Sequence, residues 1–504
     1  MQASARVVEA FDVPTTGAAP ARVGPPDRSA DQSRLAPTRR RVPQRAIEVI
    51  GIVIGVVLIA TVARAHALSN DEFWSLAAGQ WMLAHHAIMG LDPFSYTESH
   101  RRWVTDEWGS EIALAGLFRA FGNAAYSVYA VVLGGLCLMA SAAYARALGA
   151  RGGRVAAIVL LLAAGIAGTL VGDRGLDFSL VWLPLELLVL TKARANPRWL
   201  VLLPPLCLVW VNTHGSILLG LLVLGVELGW SLIPERWVQR IGGVRQSPHT
   251  GPLALALLGS VIASCITPYG PGLLAYDIGV SRNGQIAQSI SEWGSPNFHS
   301  VLELLVYGIP LVVLVVCLWT RRIPLLEGSL GAILFVEALQ AQRFAVYLMV
   351  IAAGLAATLP MRALWGTTAR RWAGGGLLLV VVIAVLAIPG VPAGTVASGQ
   401  PVAAFNDLSS HPGRIFTQYA WGDYSIVRHR ATFVDGRTDL FEGRVLTEFL
   451  DITNLSTNPD PVLSAYHVSY VVWAPGTPLA IYLAHDPRWH VVDRTSAALV
   501  FARR

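Results

Sequence analysis

The chain has 504 residues, of which 54% are hydrophobic and only 14% charged. A soluble domain carries roughly 25% charged residues, so this composition, with a mean hydropathy of +0.52, excludes an ordinary soluble enzyme and points to a polytopic membrane protein. The formal charge of +6 sits in short Lys and Arg clusters between apolar runs rather than in one patch, which speaks against a nucleic-acid partner and for membrane topology.

Residues 1–45 are rich in Pro, Ala, Arg and Ser and end in Arg39, Arg40, Arg41 and Arg45, the pattern of a disordered, basic cytoplasmic tail. The apolar run that follows begins too late for a signal peptide and reads as the first span. Spans need about 20 apolar residues. On that measure the spans fall near 46–64, 124–147, 155–172, 177–191, 199–212, 215–233, 252–268, 301–319, 324–340, 344–360 and 373–390, about eleven in all. With the N-terminus inside, every return loop is basic: Arg146, Arg151 and Arg154; Lys192, Arg194 and Arg198; Arg236, Arg240 and Arg245; Arg321 and Arg322; Arg362, Arg370 and Arg371. Lys and Arg collect on the cytoplasmic side, so the parity places the first long loop, 65–123, outside. Two segments strain this threading. Residues 107–121 form a short apolar helix, read as lying at the outer interface rather than crossing. The spans at 199–212 and 215–233 are joined only by Thr213 and His214, through a tight turn or within one broken helix.

After Pro389 apolarity falls, and residues 391–504 have the size of a small domain. RIFTQY, ATFVDGR, YVVWA and ALVFA read as strands, VLTEFLDI and PLAIYLAH as short helices. The expected fold is therefore a polytopic α-helical membrane unit, residues 46–390, with an extracytoplasmic α/β domain behind it. Cys137, Cys207, Cys265 and Cys317 all lie in apolar stretches without ligand spacing and read as small buried hydrophobes.

Polar residues gather on the outer side of this topology. The first loop holds Asp71, Glu72, Asp92, Glu98, Asp106 and Glu107, and further outer positions carry Arg174, His214, Glu292, Trp293 and Arg343. Asp71 and Glu72 offer carboxylates for proton transfer, although Asp71 is equally a helix cap. Asp106 and Glu107 could bind an acceptor or a divalent metal through oxygen, or simply favour a helix N-terminus. Arg174 and Arg343 defy the positive-inside trend and suit bidentate phosphate binding; each could instead pair locally, Arg174 with Asp173 or Asp177. His214 is either a structural group or a polar residue kept at membrane depth for function. Glu292 and Trp293 offer a carboxylate and a stacking face, though Trp is common at interfaces. Asp435 and Arg437 read as a turn salt bridge, Asp92 and Glu98 as turn and solvent residues, and Trp421, Tyr424 and Trp473 as core.

The strings DEFWSLAAGQW, GLDPFSYT and WVTDEWGSE, followed by WVNTHGSILLG, TPYG, SEWGSP, AQRF and FVDGRTDLF, resemble GT-C membrane glycosyltransferases, in particular a bacterial family-39-like group that uses polyprenyl-phosphate sugars. The resemblance runs from about residue 46 to 450. It implies a GT-C-like membrane core and an inverting transfer at the outer leaflet, from a lipid-phosphate sugar to a glycan, lipid or protein of the cell envelope. It also implies a first-loop carboxylate as base, matched by Asp71 with Glu72 beside it. Ser75 departs from the His common in that group, so the resemblance gives this loop no metal or catalytic histidine. An O-antigen ligase or polymerase type enzyme and a lipid-sugar flippase are the competing readings. The acidic first loop speaks against the former. Glu186, Glu227 and Glu337, few among the spans, speak against the latter. Protein partners, sugar and metal dependence are not encoded legibly.

Overall fold

The computed structural model describes residues 43–68, 70–172, 175–240, 243–244, 249–284, 291–320, 323–359, 390–392 and 394–504. The basic tail, nearly all of the expected span at 373–390, and Arg174 lie outside the described residues. The order begins with helices α1 (Gln44–Ala65), α2 (Asn70–His85), α3 (Trp108–Phe121), α4 (Ala125–Ala147), α5 (Gly153–Ile166), α6 (Leu176–Ala193), α7 (Leu203–Val211), α8 (Ile217–Leu232), α9 (Glu235–Arg240), α10 (Thr250–Ser264) and α11 (Gly272–Arg282). Helices Val301–Trp319, Leu325–Gln340 and Ala345–Thr358 complete the apolar part.

Two helical stretches among the described residues are long and apolar enough to cross a membrane: α1, and the run Trp108–Ala147 formed by α3 and α4. At 1.5 Å per residue a 22-residue helix such as α1 is about 33 Å long. Helices α5, α7, α8 and α10 are shorter than the expected spans, whereas Leu176–Ala193 exceeds the expected 177–191 and Val301–Trp319 coincides with 301–319. Pro197–Leu202 is a 3-10 turn ahead of Pro204, and α5 stops at Ile166, just past Gly165. The segment at 107–121, expected as a separate interfacial helix, leads through a 3-10 turn at Gly122–Ala124 into α4. The joint near His214 is a five-residue break between two separate helices, α7 and α8, which both pack on α10.

Close approach of small residues fixes the packing of α1. A Cβ added at Gly51 would lie 2.6 Å from the Cβ of Ala156 on α5, so the two helices meet where only glycine fits. The three buried cysteines, Cys137, Cys207 and Cys317, pack in this helical core as expected.

Within the first long loop, Asn70–His85 form helix α2, close to the helix start that the capping reading of Asp71 expects; its Phe73, Leu76 and Met82 recur at helical spacing and are buried. This helix packs against α3 and against helix Tyr419–Val427 of the later region.

A parallel two-residue pair, β1 (Gly243–Val244) with β2 (Ile323–Pro324), precedes the four-stranded sheet of the C-terminal region. Its strands are β3 (Arg414–Thr417), β4 (Val468–Trp473), β5 (Trp489–Arg494) and β6 (Leu499–Arg503), in the order β3-β4-β6-β5. Strand β3 runs parallel to β4, while β4/β6 and β5/β6 are antiparallel. RIFTQY, YVVWA and ALVFA supply β3, β4 and β6, and helices Arg444–Thr453 and Pro478–His485 stand where they were expected. ATFVDGR does not join the sheet. The Thr432 N–H donates to the Phe94 carbonyl, and the Tyr96 N–H donates to the Thr432 carbonyl, so the first loop takes the hydrogen bonds that a strand would have offered. One apolar cluster accordingly joins Ala78, Met82, Met89 and Trp103 of the first loop to Phe416, Phe433 and Phe449 of the C-terminal region.

At this seam lies a buried ion triad. Arg437 donates from Nε and Nη2 to Asp435, at 2.8 and 2.7 Å, and from Nη1 to Asp92 at 2.7 Å. Asp92, expected as a turn residue, does accept the Phe94 and Ser95 N–H groups of a turn, but its other task is to reach Arg437. The guanidinium also lies 4.5 Å from the centre of the Trp103 ring. Burial alone would raise the Asp92 carboxyl; Arg437, the Ser95 side chain and the Phe94 N–H bring it below the usual carboxylate range. Arg437→Ala leaves two buried carboxylates without their cation, and the expected cost is about 3–5 kcal/mol of stability. Thermal unfolding in detergent checks this, with the charge-free triple variant D92N/R437M/D435N expected to lose less; equal losses would assign the effect to packing rather than charge.

Candidate functional site

A cavity of about 920 Å3 opens where α2, α8, α11, helix Leu325–Gln340, the segment just before α3 and the C-terminal region meet. It brings together six residues singled out from the sequence: Asp71, Asp106, Glu107, His214, Glu292 and Arg343. Glu72 is not among the lining residues. It is buried, and its Oε1 lies 2.5 Å from His66 Nε2, because adjacent positions on a helix point about 100° apart. The lining residues that sequence reasoning missed are Tyr276, Asp277, Tyr419, Asp423 and Asp439. Their signal was a lone acid within an apolar or aromatic helix, as in AYDIG and YAWGDYS.

Asp71 stands in the first turn of α2, where the helix N-terminus favours a carboxylate, and accepts from the Trp74 indole N–H at 3.3 Å. Gly436 separates it from Asp423. A Cβ at Gly436 would lie 2.9 Å from Asp423 Oδ2 and 3.2 Å from Asp71 Oδ1, so glycine lets both carboxylates close on the turn. The Gly436 N–H donates to Asp423 Oδ1 at 2.7 Å, while Asp423 Oδ2 is buried without a hydrogen-bond partner among the described residues. Burial, then the charges of Asp435 and Asp71, push the Asp423 carboxyl well above its ordinary range. A carboxyl held neutral in this way can act as a hydrogen-bond donor beside a second carboxyl.

A second acidic group surrounds His214, in the break between α7 and α8. Its Nδ1 accepts the Ser216 N–H at 3.0 Å, which puts the ring proton on Nε2, 3.1 Å from Glu107 Oε1. The Gly175 N–H donates to Glu107 Oε2 at 3.1 Å. Burial would raise Glu107, but His214 and this N–H outweigh it and lower the carboxyl below its usual value. The adjoining Asp106 goes the other way, raised by burial and then by the charges of Glu107, Asp277 and Asp439. Burial and Glu107 push Asp277 up to about 7. Tyr276 donates its hydroxyl to Asp439, which ties α11 to the C-terminal region.

Among the described residues two arginines line the cavity, the buried Arg437 of the ion triad and the partly exposed Arg343, in the 3-10 turn Gln342–Phe344. The Arg343 guanidinium stacks 4.4 Å from the Trp293 ring centre and lies 3.6 Å from Glu292 Oε1. Local pairing and the cavity position coexist, since the cation is partly exposed and keeps donors for a further anion.

No family model matches the chain, and no curated protein matches it in sequence. Solved structures do. The archaeal oligosaccharyltransferase AglB from Archaeoglobus fulgidus, in complex with an inhibitory peptide and a dolichol-phosphate, superposes with a TM-score of 0.60 at 12% identity, over 85% of this chain and 69% of that one. ArnT from Cupriavidus metallidurans bound to undecaprenyl phosphate gives 0.53 at 15% identity, over 90% of this chain and 97% of that one. This chain shares the fold of these two proteins. A crystal structure of the Archaeoglobus fulgidus oligosaccharyltransferase in complex with Zn and sulfate also superposes on this chain, with a TM-score of 0.57 at 12% identity, over 85% and 68% of the two chains. Among the described residues, no three His, Cys, Asp or Glu side chains converge as metal ligands.

The Asp277 carboxyl should give an infrared C=O band that disappears on raising the pH with a midpoint of about 7. The band should be absent in D277N, and in D106N it should persist. A titration in the ordinary carboxylate range would contradict the buried placement of Asp277.

Proposed function

We propose that the protein is a membrane glycosyltransferase that moves a sugar from a polyprenyl-phosphate donor to a cell-envelope acceptor, a glycan, lipid or protein. The supporting observation is one cavity lined both by the Asp71–Asp423 carboxyl pair and by Arg343 on its Trp293 platform. In this reading the membrane unit of residues 46–390 crosses about eleven times, the N-terminus is cytoplasmic, and the cavity and residues 391–504 face the extracytoplasmic side.

The chemistry assigns each part a task. The acceptor O–H or N–H attacks the anomeric carbon as its bond to the phosphate oxygen breaks, with inversion, and the leaving phosphate keeps the electron pair. Asp71 takes the acceptor proton. Asp423, held neutral by burial and by its acidic neighbours, donates its proton in a hydrogen bond that orients the acceptor. Arg343 meets the charge that develops on the phosphate, fixed in advance by Trp293 and Glu292. Glu107 with His214, and Asp106, line the polar wall against which the sugar hydroxyls are held, and Arg174 is a further phosphate ligand in this proposal.

Asp71→Asn is expected to lower transfer from a labelled polyprenyl-phosphate sugar in proteoliposomes by about 10²–10⁴-fold, the usual worth of a positioned base. Arg343→Gln should cost about 10²–10³-fold, as for loss of a donor to developing charge. Full turnover in D71N at unchanged membrane insertion would remove Asp71 from the base role, and translocation of the lipid-linked sugar without transfer would favour a transporter.

A further inference from the structure

A second cavity, of about 260 Å3, shares no lining residue with the first. It lies at the C-terminal end of α1, where the chain returns to dock: the Val391 N–H donates to the Arg64 carbonyl at 2.7 Å, and Leu68 pairs with Val396 in a parallel bridge. Ala63 and Leu68 give it an apolar side, while Arg64, His66, Asn123 and Ser127 give it a polar one. Its size is close to the lower bound of roughly 300 Å3 for small-molecule sites.

The charge of this cavity is opposite to that of the large one. Among the described residues no carboxylate lines it. Glu72 touches it only indirectly, through the ion pair with His66 Nε2 that leaves the other ring nitrogen uncommitted to that carboxylate. Among the described residues the Arg64 guanidinium has neither an ion pair nor a hydrogen bond, and the side chains of Asn123 and Ser127 likewise make no hydrogen bond. An arginine at the last turn of a helix is explained in part by the helix dipole. The dipole does not explain why an amide and a hydroxyl from the start of α4 converge on the same small space.

The geometry points to this cavity as a binding site for a phosphate group. Arg64 supplies a planar fork of N–H donors for two phosphate oxygens, and Asn123 and Ser127 supply neutral donors for the others. The apolar side and the position at the end of a membrane-length helix suit the phosphodiester of a lipid headgroup, whose acyl chains run down α1 and α4. A free inorganic phosphate satisfies the same donors. The site is independent of the catalytic reading, because none of its lining residues belongs to the large cavity.

The full-length chain in detergent, titrated with phosphatidylglycerol and read by native mass spectrometry, tests this. Arg64→Gln and Asn123→Ala are each expected to weaken the tightest lipid-binding step, about tenfold for R64Q, the worth of a charge-assisted hydrogen bond. Arg119→Gln, at an exposed position late in α3, is the control and should leave it unchanged. Inorganic phosphate that fails to compete at millimolar concentration identifies the lipid as the source; phosphate that competes, with the same dependence on Arg64, identifies the free anion. Lipid and phosphate binding unchanged in both R64Q and N123A would overturn the site.

Discussion

A guanidinium buried between two carboxylates holds this molecule's two halves in register. Arg437 reaches Asp435 in its own turn and Asp92 at a separation of 345 residues, with all three side chains buried. Removing a charge of this kind from solvent costs several kcal/mol, and only close, well-directed partners offset that cost. The geometry therefore permits one docking of the first loop on the C-terminal region and penalises any sliding between them. The backbone exchange of Thr432 with Phe94 and Tyr96, and the aromatic cluster around Phe416 and Phe433, follow from that docking.

The cavity inherits this constraint. Asp71 is carried by α2 and Asp423 by a helix of the C-terminal region, and they meet only because the seam beside them is locked. Gly436 sits one residue from Arg437, so the same turn that anchors the seam also presents its N–H to Asp423. Electrostatics across the cavity then divide the acids. His214 holds Glu107 ionised, burial and that ionised neighbour push Asp106 and Asp277 towards neutrality, and Arg343 supplies the positive charge on the aromatic face of Trp293.

Much of the helical architecture was legible from hydropathy, yet helix lengths were not. Apolar runs such as 155–172 and 199–212 satisfy a transfer scale along their whole length, whereas their α-helices cover only Gly153–Ile166 and Leu203–Val211. The sheet was readable where strands are continuously apolar, as in β4 and β6. Strand β5 was missed because its side chains are mostly exposed, and ATFVDGR was misread because its strand-like pattern serves contacts with a distant loop. The candidate site shows the same division. Asp71, Asp106, Glu107, His214, Glu292 and Arg343 stood out as polar residues beside apolar runs, and all six line the cavity. Glu72 stood out equally and turned to His66, since helical geometry, not proximity in sequence, decides which way an adjacent carboxylate points.

The sequence alone determined the membrane class, the placement of most helices and the accumulation of acid in the first loop, because hydrophobicity and helical periodicity are properties of neighbouring residues. Tertiary structure alone decided that Asp92 is an ion-pair partner, that Asp423 and Asp277 belong to the cavity, and that Asp106 and Glu107 differ in proton affinity. The ionisation of a carboxyl depends on what excludes water from it and which charges lie within a few ångströms. In this chain those neighbours come from segments hundreds of residues apart.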